Sequence, residues 1–296
     1  MELEFNEFGQ VVGHNSDKFV SIAGAIVREY VPVVIKNWPS VDDSKKIELW
    51  NFIQQRFNVN DCHQKMAFQC MGTYWRTFKS RLRRDIKRQV PSAVNRKRAI
   101  ALLRPKNITS EEAWEKFVED TLSTDFQEKS SKFSKMRSSQ KLLHTMGRKG
   151  YSRMAHDLKR KNPNITGLRT TVWTHGHLRK DGNPINEAVA ETLMKIKDYA
   201  ESISDTPVEN SIRDDAVARI LGPKRRGRVR GLGLGVTPSK IDGNTQSSEK
   251  VRDLENKLQT QSVRMEALEE KVEALLKLSQ NQNKNVEDMS SRAFTP

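Results

Sequence analysis

Apolar residues recur at helical spacing through most of the chain, and polar residues separate them. The pattern predicts a first helix that ends near Tyr30, because Pro32 cannot continue a helix. It predicts a second helix that begins at a cap on Ser40 or Asp42. Residues 1–17 show no clear period, so we expect them to form a loose lead-in.

The stretch from Thr73 to Lys106 combines a helical pattern with an unusual charge. Its apolar stripe contains Tyr74, Trp75, Phe78, Leu82, Ile86 and Val90. The opposite face carries six bases, which are Arg76, Lys79, Arg83, Arg84, Lys87 and Arg88. The whole stretch holds twelve Lys and Arg against one acid, Asp85. A one-sided basic helix favours contact with a nucleic-acid backbone, and the alternative is a solvated charged surface.

The central region also has a helical pattern, broken by glycine. Helices are predicted from Ala93 to Leu103, from a cap at Thr109 or Ser110 to about Gln140 with a break near Ser123, and from Asn186 to Ala200. Gly147 and Gly150 predict turns or a close backbone approach between the last two of these helices. This segment lacks the Gly-Lys-Ser/Thr pattern of a phosphate-binding loop.

A glycine-rich basic segment extends from Leu221 to Ser239. Its glycines and prolines exclude a stable helix, so we expect a flexible arm that contacts nucleic acid or a nuclear import receptor. Its candidate DNA-binding residues are Lys224, Arg225, Arg226, Arg228 and Arg230.

A heptad pattern follows from Val251 to Leu278 and predicts a coiled coil. Its a positions are Val251, Leu258, Met265 and Val272, and its d positions are Leu254, Gln261, Leu268 and Leu275. Lys250 with Glu255 and Arg264 with Glu269 fit the charge pairs of two parallel strands. The apolar a and d residues are therefore candidates for dimerisation. The alternative is a single amphipathic helix that folds back on the body of the protein.

Together these patterns predict an all-α protein with a helical N-terminal and central region, a flexible Gly/Arg-rich arm and a C-terminal coiled coil. The predicted divisions are a tryptophan-containing helical basic module at 1–106, a helical central region at 107–200, a disordered basic Gly-rich linker at 201–248, the coiled coil at 249–280 and a disordered tail at 281–296.

Composition narrows the possible partners. The net charge of +15 indicates an anionic partner, either nucleic acid or an acidic membrane. No apolar run reaches the roughly 18 residues of a membrane span, so we expect no membrane-spanning segment, and we predict DNA and no membrane as the partner. The N-terminus lacks the pattern of a signal peptide, and Cys62 and Cys70 are expected to be free thiols.

Candidate metal and catalytic residues match no known pattern. His144, His156, His175 and His177, together with the two cysteines, do not have zinc-finger spacing, so no metal and no cofactor is predicted. The chain has no nucleophile motif, and it has few strand-like runs that could form the mixed sheet of a two-metal nuclease. We therefore predict a protein without catalytic residues.

Several motifs together resemble one known family. They are Asn37-Trp38-Pro39, Leu49-Trp50, Trp75-Arg76-x-Phe78-Lys79, Trp114-x-x-Phe117-Val118, His144-x-x-Gly147-x-x-Gly150-Tyr151, His177 to Gly182, and GPKRRGRVRGLGLGVTPS. From about Val31 to Ser239 they resemble the plant transposase family Ptta/En/Spm, which derives from CACTA-type elements. The resemblance implies a plant nuclear protein linked to transposition. In such elements an accessory protein that binds the element ends is distinct from the catalytic transposase.

Three functions follow from these observations. The first is a dimeric, non-catalytic DNA-binding protein that binds element ends, with a catalytic transposase as a possible partner. The second is a nuclear adaptor whose coiled coil recruits a partner and whose basic runs serve as import signals. The third is an active transposase, for which the chain offers no identified catalytic residues.

Overall fold

The structure, a computed structural model, describes residues 1–147, 149–203, 212–222, 227–241 and scattered positions from 258 to 272. Its compact units are residues 1–238 and 239–296. The elements are β1 (Glu4–Phe5), β2 (Val11–Val12), α1 (Ser16–Tyr30), α2 (Asp43–Arg56), a 3₁₀ turn (Asp61–His63), α3 (Gln64–Gln89), α4 (Arg96–Leu103), α5 (Glu111–Leu122), α6 (Thr124–Ser138), α7 (Gly150–Lys161), α8 (Leu168–His175), α9 (Glu187–Ser202) and α10 (Ala216–Leu221). Since the strands have two residues each, the all-α class is confirmed.

The first core joins α1, α2 and the N-terminal half of α3. Its buried residues are Phe19, Ala23, Val27, Val31, Val41, Leu49, Trp50, Ile53, Phe57, Ala67, Met71 and Trp75. Asp42 starts α2, because its side chain accepts a hydrogen bond from the Ser44 N–H. The Trp50 indole N–H donates to Asp61 Oδ1 at 2.8 Å, which fixes the turn before α3.

The second core joins the C-terminal half of α3 to α4 and α5. Its buried residues are Val33, Leu82, Ile86, Val90, Ile108, Trp114, Phe117 and Val118. The Ser110 hydroxyl caps α5, and the Trp114 indole N–H donates to Ile100 O at 2.8 Å. Helix α3 has 26 residues, which is about 39 Å at 1.5 Å per residue. It therefore contributes to both cores, and its remaining face stays open.

A third core lies among α8, α9 and α10. Trp173, Ile196, Ala216 and Val217 are its buried residues. Next to it the Arg169 guanidinium donates to both carboxylate oxygens of Asp215, at 2.6 and 2.7 Å. The Asp215 carboxylate also accepts from the Ala218 N–H and so starts α10.

Part of the expected loose lead-in is ordered. Strands β1 and β2 form an antiparallel hairpin, with Glu4 opposite Val12 and Phe5 opposite Val11. The Asn6 side chain accepts hydrogen bonds from the Phe8 and Gln10 N–H groups and so shapes the turn. The hairpin is stable here because Val12 is buried, which a search for helical period does not detect.

The described part of the predicted flexible arm is also ordered. The Val229 N–H donates to Val236 O at 3.0 Å, and both valines are buried. Gly231, Gly233 and Gly235 have positive φ angles, which let the backbone wind tightly between the two valines. Residues 227–236, the glycine loop, therefore fold onto the body instead of extending from it, while Lys224, Arg225 and Arg226 lie outside the described residues.

The heptad segment is described only in part. Leu258, Met265, Leu268 and Val272 are helical, and each is more than half exposed in the single chain. Val251, Leu254 and Leu275 lie outside the described residues. The coiled coil therefore stays a prediction.

Candidate nucleic-acid interface

An open cleft of about 610 Å³ lies against the free face of α3, bounded by residues 36–39 and by α6. Six bases line it, which are Lys36, Arg76, Lys79, Arg83, Arg84 and Lys87. Three hydroxyls, those of Ser80, Ser130 and Ser134, lie among them. Within the described part of the chain, no Asp or Glu lines this cleft. We call it the basic cleft.

Two arginines give the basic cleft uncompensated charge. Arg76 and Arg84 are exposed, and neither forms an ion pair with a carboxylate among the described residues. Arg76 makes only a hydrogen bond to the Thr73 hydroxyl, at 3.1 Å. Lys87 donates to Ser130 Oγ at 3.4 Å, a long contact that a stronger acceptor could replace. These three side chains are available to an anionic ligand.

Lys79 occupies the floor of the basic cleft and is half-buried. Its ammonium donates to the backbone carbonyls of Ile35 and Lys36. It also lies over the Trp75 ring, 4.7 Å from the centroid. Burial lowers the pKa of Lys79 from 10.5 to about 8, with the nearby Arg83 charge acting in the same direction and Asp120 opposing it. Lys79 thus links α3 to the segment between α1 and α2 while facing the cleft.

Arg83 has a similar double role. Its guanidinium forms an ion pair with Asp120 at 2.8 Å and lies 4.2 Å from the centroid of the Phe126 ring. Burial lowers the pKa of Arg83, although Asp120 opposes this effect. Since Asp120 is on α5 and Phe126 is on α6, Arg83 joins three helices. Much of its charge is already compensated within the protein.

Arg88 lies away from the basic cleft. It is not among the lining residues, and it pairs at 3.5 Å with Asp85, one turn earlier on α3. The helical face assigned from sequence is therefore broader than the cleft, which contains the other five of the six predicted residues.

A second open cleft, of about 660 Å³, lies between the N-terminal half of α3 and the glycine loop. Lys65, Arg76 and Arg228 line it, together with an Asp43–Lys46 ion pair of 2.7 Å. Because Trp38 and Arg76 line both clefts, the two are adjacent along α3. We call the continuous surface of Lys65, Arg228, Arg76, Arg84 and Lys87 the basic track.

The basic track joins residues that the sequence placed in separate segments. Arg228 belongs to the predicted arm, and the fold brings it to the same side of α3 as Arg76. Arg230 points elsewhere, since its guanidinium donates to Leu221 O at 2.7 Å. Lys36 and Lys65 were missed because each is a single base outside the strongly basic stretch, and only the fold reveals their position.

The described residues contain no group of three or more His, Cys, Asp or Glu side chains that could hold a metal ion. Cys62 and Cys70 are free thiols, and burial raises the pKa of Cys70 to about 11. No described helix has the length and apolar character needed to cross a bilayer.

The described part of the chain is thus mainly helical, with a long basic surface that follows α3 and includes Arg228 of the glycine loop. The family model for plant transposases (Ptta/En/Spm family) matches residues 110–239, so this part of the chain carries the sequence pattern of that family. The family resemblance is confirmed, and the matched range begins at residue 110, later than the motifs near Val31 suggested. Neither the curated proteins nor the solved structures gave a match.

Proposed function

We propose that this chain is a transposon-derived plant DNA-binding protein of the accessory type, which binds element ends and leaves strand chemistry to a separate catalytic transposase. The observation that supports this proposal is the basic cleft, whose described lining has six bases and no carboxylate. The match to a plant transposase family supplies the link to transposable elements. Since such elements reside in chromosomal DNA, we also propose a nuclear location.

The basic track suits a phosphate backbone for two physical reasons. Cations without a carboxylate partner release counterions when they neutralise phosphates, which favours binding. Serine hydroxyls beside them can donate to phosphate oxygens and fix the register of the nucleic acid. Contacts of this kind carry no sequence information, so recognition of particular ends would need further contacts or a partner.

The decisive experiment compares two triple variants. The first replaces Arg76, Arg84 and Lys87 with Ala, which removes exposed cleft charge and spares Lys79 and Arg83. The second replaces Arg81, Lys97 and Arg98 with Ala and serves as the matched control. It removes the same charges from exposed positions outside the cleft.

Duplex affinity is measured for both variants across a series of salt concentrations. The cleft variant should bind every duplex sequence more weakly, and its log–log salt slope should fall by roughly one for each phosphate that the protein no longer neutralises. The control should change little. Equal losses of affinity in both variants would reduce the proposal to nonspecific attraction by net charge.

The adaptor function is the second candidate, and one observation favours it. Four apolar residues are exposed on a helix in the single chain, as is expected of residues that pack against a second helix in a coiled coil. They are Leu258, Met265, Leu268 and Val272. If the cleft variant binds DNA as well as the unmodified protein, while the chain still associates through this segment, the adaptor function replaces the DNA-binding function.

A further inference from the structure

A separate cavity of about 470 Å³ lies beside the glycine loop, between α7 and α8. Four rings line it, which are those of His144, Tyr151, Trp173 and His177. Gln140, Lys141 and Arg230 add polar groups to its lining. Its volume is within the range of roughly 300–1,000 Å³ typical of small-molecule sites. We call it the aromatic pocket.

The rings of the aromatic pocket form a connected set. Trp173 and His177 are stacked with centroids 3.8 Å apart, and both are buried. Tyr151 lies 6.5 Å from His177 and 6.0 Å from His144, measured between centroids. Because His144 is exposed and Tyr151 is half-buried, these two rings leave faces that a planar ligand could cover.

The orientation of His177 gives the pocket a hydrogen-bond acceptor. Its Nδ1 lies 2.8 Å from Trp173 O, and a carbonyl can only accept, so Nδ1 carries the proton. Burial lowers the pKa of His177, which keeps the ring neutral at pH 7. Nε2 therefore has a free lone pair, and it has no hydrogen-bond partner within the described residues although His177 is only 4% exposed.

The glycine loop connects the aromatic pocket to the basic track. Arg228 lines the second cleft of the track, whereas Arg230 and Gly231 line the pocket. Two residues span at most about 7 Å of extended backbone, so the pocket and the track are neighbours on the surface. Gly231 packs against Trp173, which leaves the loop backbone close to the rings.

We propose that the aromatic pocket receives one unstacked nucleobase of a DNA strand whose phosphates lie on the basic track. The base would cover the free faces of Tyr151 and His144, while an N–H group on its edge donates to His177 Nε2. Stacking on aromatic rings tolerates any base, and the edge contact adds a modest preference. This inference rests on the DNA-binding function proposed above and adds a single-strand contact to it.

The test uses short duplexes that carry 2-aminopurine, a fluorescent base whose emission depends on stacking. One duplex has the probe in a single-stranded overhang, a second has it opposite a mismatch, and a third is fully paired and blunt. Free 2-aminopurine nucleoside is the fourth probe. The proteins are the unmodified chain, His144→Ala, His177→Phe and the matched control His175→Ala, whose ring is exposed and does not line the pocket.

The unmodified protein should bind the overhang duplex roughly tenfold more tightly than the blunt one, as one stacked base contributes. Its binding should change the probe emission. His144→Ala and His177→Phe should each remove this preference without altering affinity for the blunt duplex, and His175→Ala should not. A change confined to the mismatched duplex would support the pocket as the site of a base flipped out of a helix. Binding of the free nucleoside together with equal affinity for the overhang and blunt duplexes would identify a small-molecule site and overturn the DNA contact.

Failure of the inference differs from failure of the DNA-binding function. If blunt and overhang duplexes bind equally and the variants match the unmodified protein, the pocket is no base site, although the basic track still binds DNA. If no duplex binds, a probe-labelled single strand decides between the two. Its binding, abolished in His144→Ala, would retain the pocket without duplex recognition, and the absence of binding would overturn both.

Discussion

The side-chain amide of Gln10 donates to the backbone carbonyl of Leu234 at 2.6 Å and also to that of Leu232 at 2.9 Å. Gln10 is buried, so neither bond competes freely with water. The two bonds join the N-terminal hairpin to the glycine loop. These segments lie near the first and the last residues of the first compact unit, so they are far apart in sequence. They therefore help to hold Arg228 beside α3.

Replacing Gln10 with Ala should loosen the glycine loop. Two loop carbonyls lose their donor, which should cost about 1–3 kcal/mol of local stability. Trypsin should then cut faster after Arg228 or Arg230, as mass spectrometry would show. Gln89→Ala, at an exposed position at the end of α3, is the matched control and should leave the cleavage rate unchanged. Equal rates for Gln10→Ala and the unmodified chain would mean that the buried valines alone hold the loop.

Asp215 carries the buried ion pair with Arg169 and also caps α10. Asp215→Asn leaves the Arg169 charge buried without compensation, so it should lower the free energy of unfolding by about 3–5 kcal/mol. Urea denaturation measures this loss. Glu201→Gln, which removes one partner of the exposed Lys197–Glu201 pair, should cost only tenths of a kcal/mol. Similar losses of stability in the two variants would show that the Arg169 charge does not depend on Asp215 for its compensation.

Local sequence patterns identified the helices that have strong caps and regular stripes. Asn186 caps α9, whose Val189 and Ile196 are buried as the periodicity predicts. Ser123 ends α5 and starts α6, as the predicted break required. In these segments the residues that specify the helix lie within the helix itself, so the sequence is sufficient.

Helices α7 and α8 were missed for different reasons. Helix α7 follows two glycines, at 147 and 150, which favoured a turn in the sequence interpretation, although Tyr151, Met154, Ala155 and Leu158 recur at helical spacing. Helix α8 contains Thr170, Thr171 and Val172, whose β-branched side chains have low helix propensity. It forms because Trp173 packs in the third core and Arg169 reaches Asp215.

The candidate site, like the fold, could be predicted from the sequence only in part. The face of α3 that carries Arg76 and Arg84 follows from helical spacing alone. Their alignment with Arg228 depends on Gln10 and on the buried Val229 and Val236, which no local pattern reveals. The partial burial of Lys79 and Arg83 likewise depends on helices that follow them in the chain.

Trp75 and Trp50 are both buried, but they differ in the surroundings of the indole nitrogen. Among the described residues Trp75 Nε1 has no hydrogen-bond partner, whereas Trp50 Nε1 donates to Asp61. Trp50→Phe should therefore cost about 1 kcal/mol more stability than Trp75→Phe, because only the former removes a hydrogen bond. Trp75→Ala should cost about 3–5 kcal/mol.

Chemical denaturation measures the free energy of unfolding of the two Phe variants. The DNA affinity of Trp75→Ala is the second measurement. A Trp75→Ala protein that retains its stability but no longer binds DNA would make Trp75 a contact residue instead of a core residue. Equal costs for the two Phe variants would show that the Asp61 hydrogen bond is energetically neutral.

Lys79 should give duplex binding a pH dependence that ordinary lysines do not. Its ammonium loses its proton as the pH rises through about 8, so affinity should fall between roughly pH 7 and 9. Bound phosphate favours the charged form, so the pKa of Lys79 should be higher in the complex than in the free protein. The affinity should therefore fall as the pH rises from the first pKa to the second. Lys79→Met should bind more weakly with no such dependence, and Lys79→Arg should keep its affinity across this range.

The same pKa has the opposite effect on stability. The unfolded chain holds this proton up to about pH 10.5, whereas the folded chain loses it near pH 8. Between these values the unfolded state binds more protons, so the contribution of Lys79 to stability rises with pH. Urea midpoints of the unmodified chain and Lys79→Met across this range test the sign. A contribution that falls with pH would exclude a lowered pKa.

Dimerisation of the C-terminal segment is the prediction on which binding to paired DNA sites depends. Seven of the eight a and d positions are apolar, and Leu258, Met265, Leu268 and Val272 are exposed in the single chain. Burying such residues between two strands removes apolar surface from water, so association should be favourable. Gln261 at a d position lowers stability but favours one register. We therefore expect a dimer by light scattering at micromolar concentration.

Charged residues at the d positions of the predicted coiled coil should separate the two chains without unfolding the first compact unit. Leu268→Glu with Leu275→Glu places like charges at two d positions, so the variant should be monomeric and keep the unfolding transition of residues 1–238. It should bind a single DNA site almost normally and lose avidity on two linked sites, because avidity needs both heads in one assembly. Glu266→Gln with Lys271→Gln, which changes two charged residues outside a and d, is the control and should stay dimeric. A monomeric mass for the unmodified protein would exclude both the dimer and the paired-site mechanism.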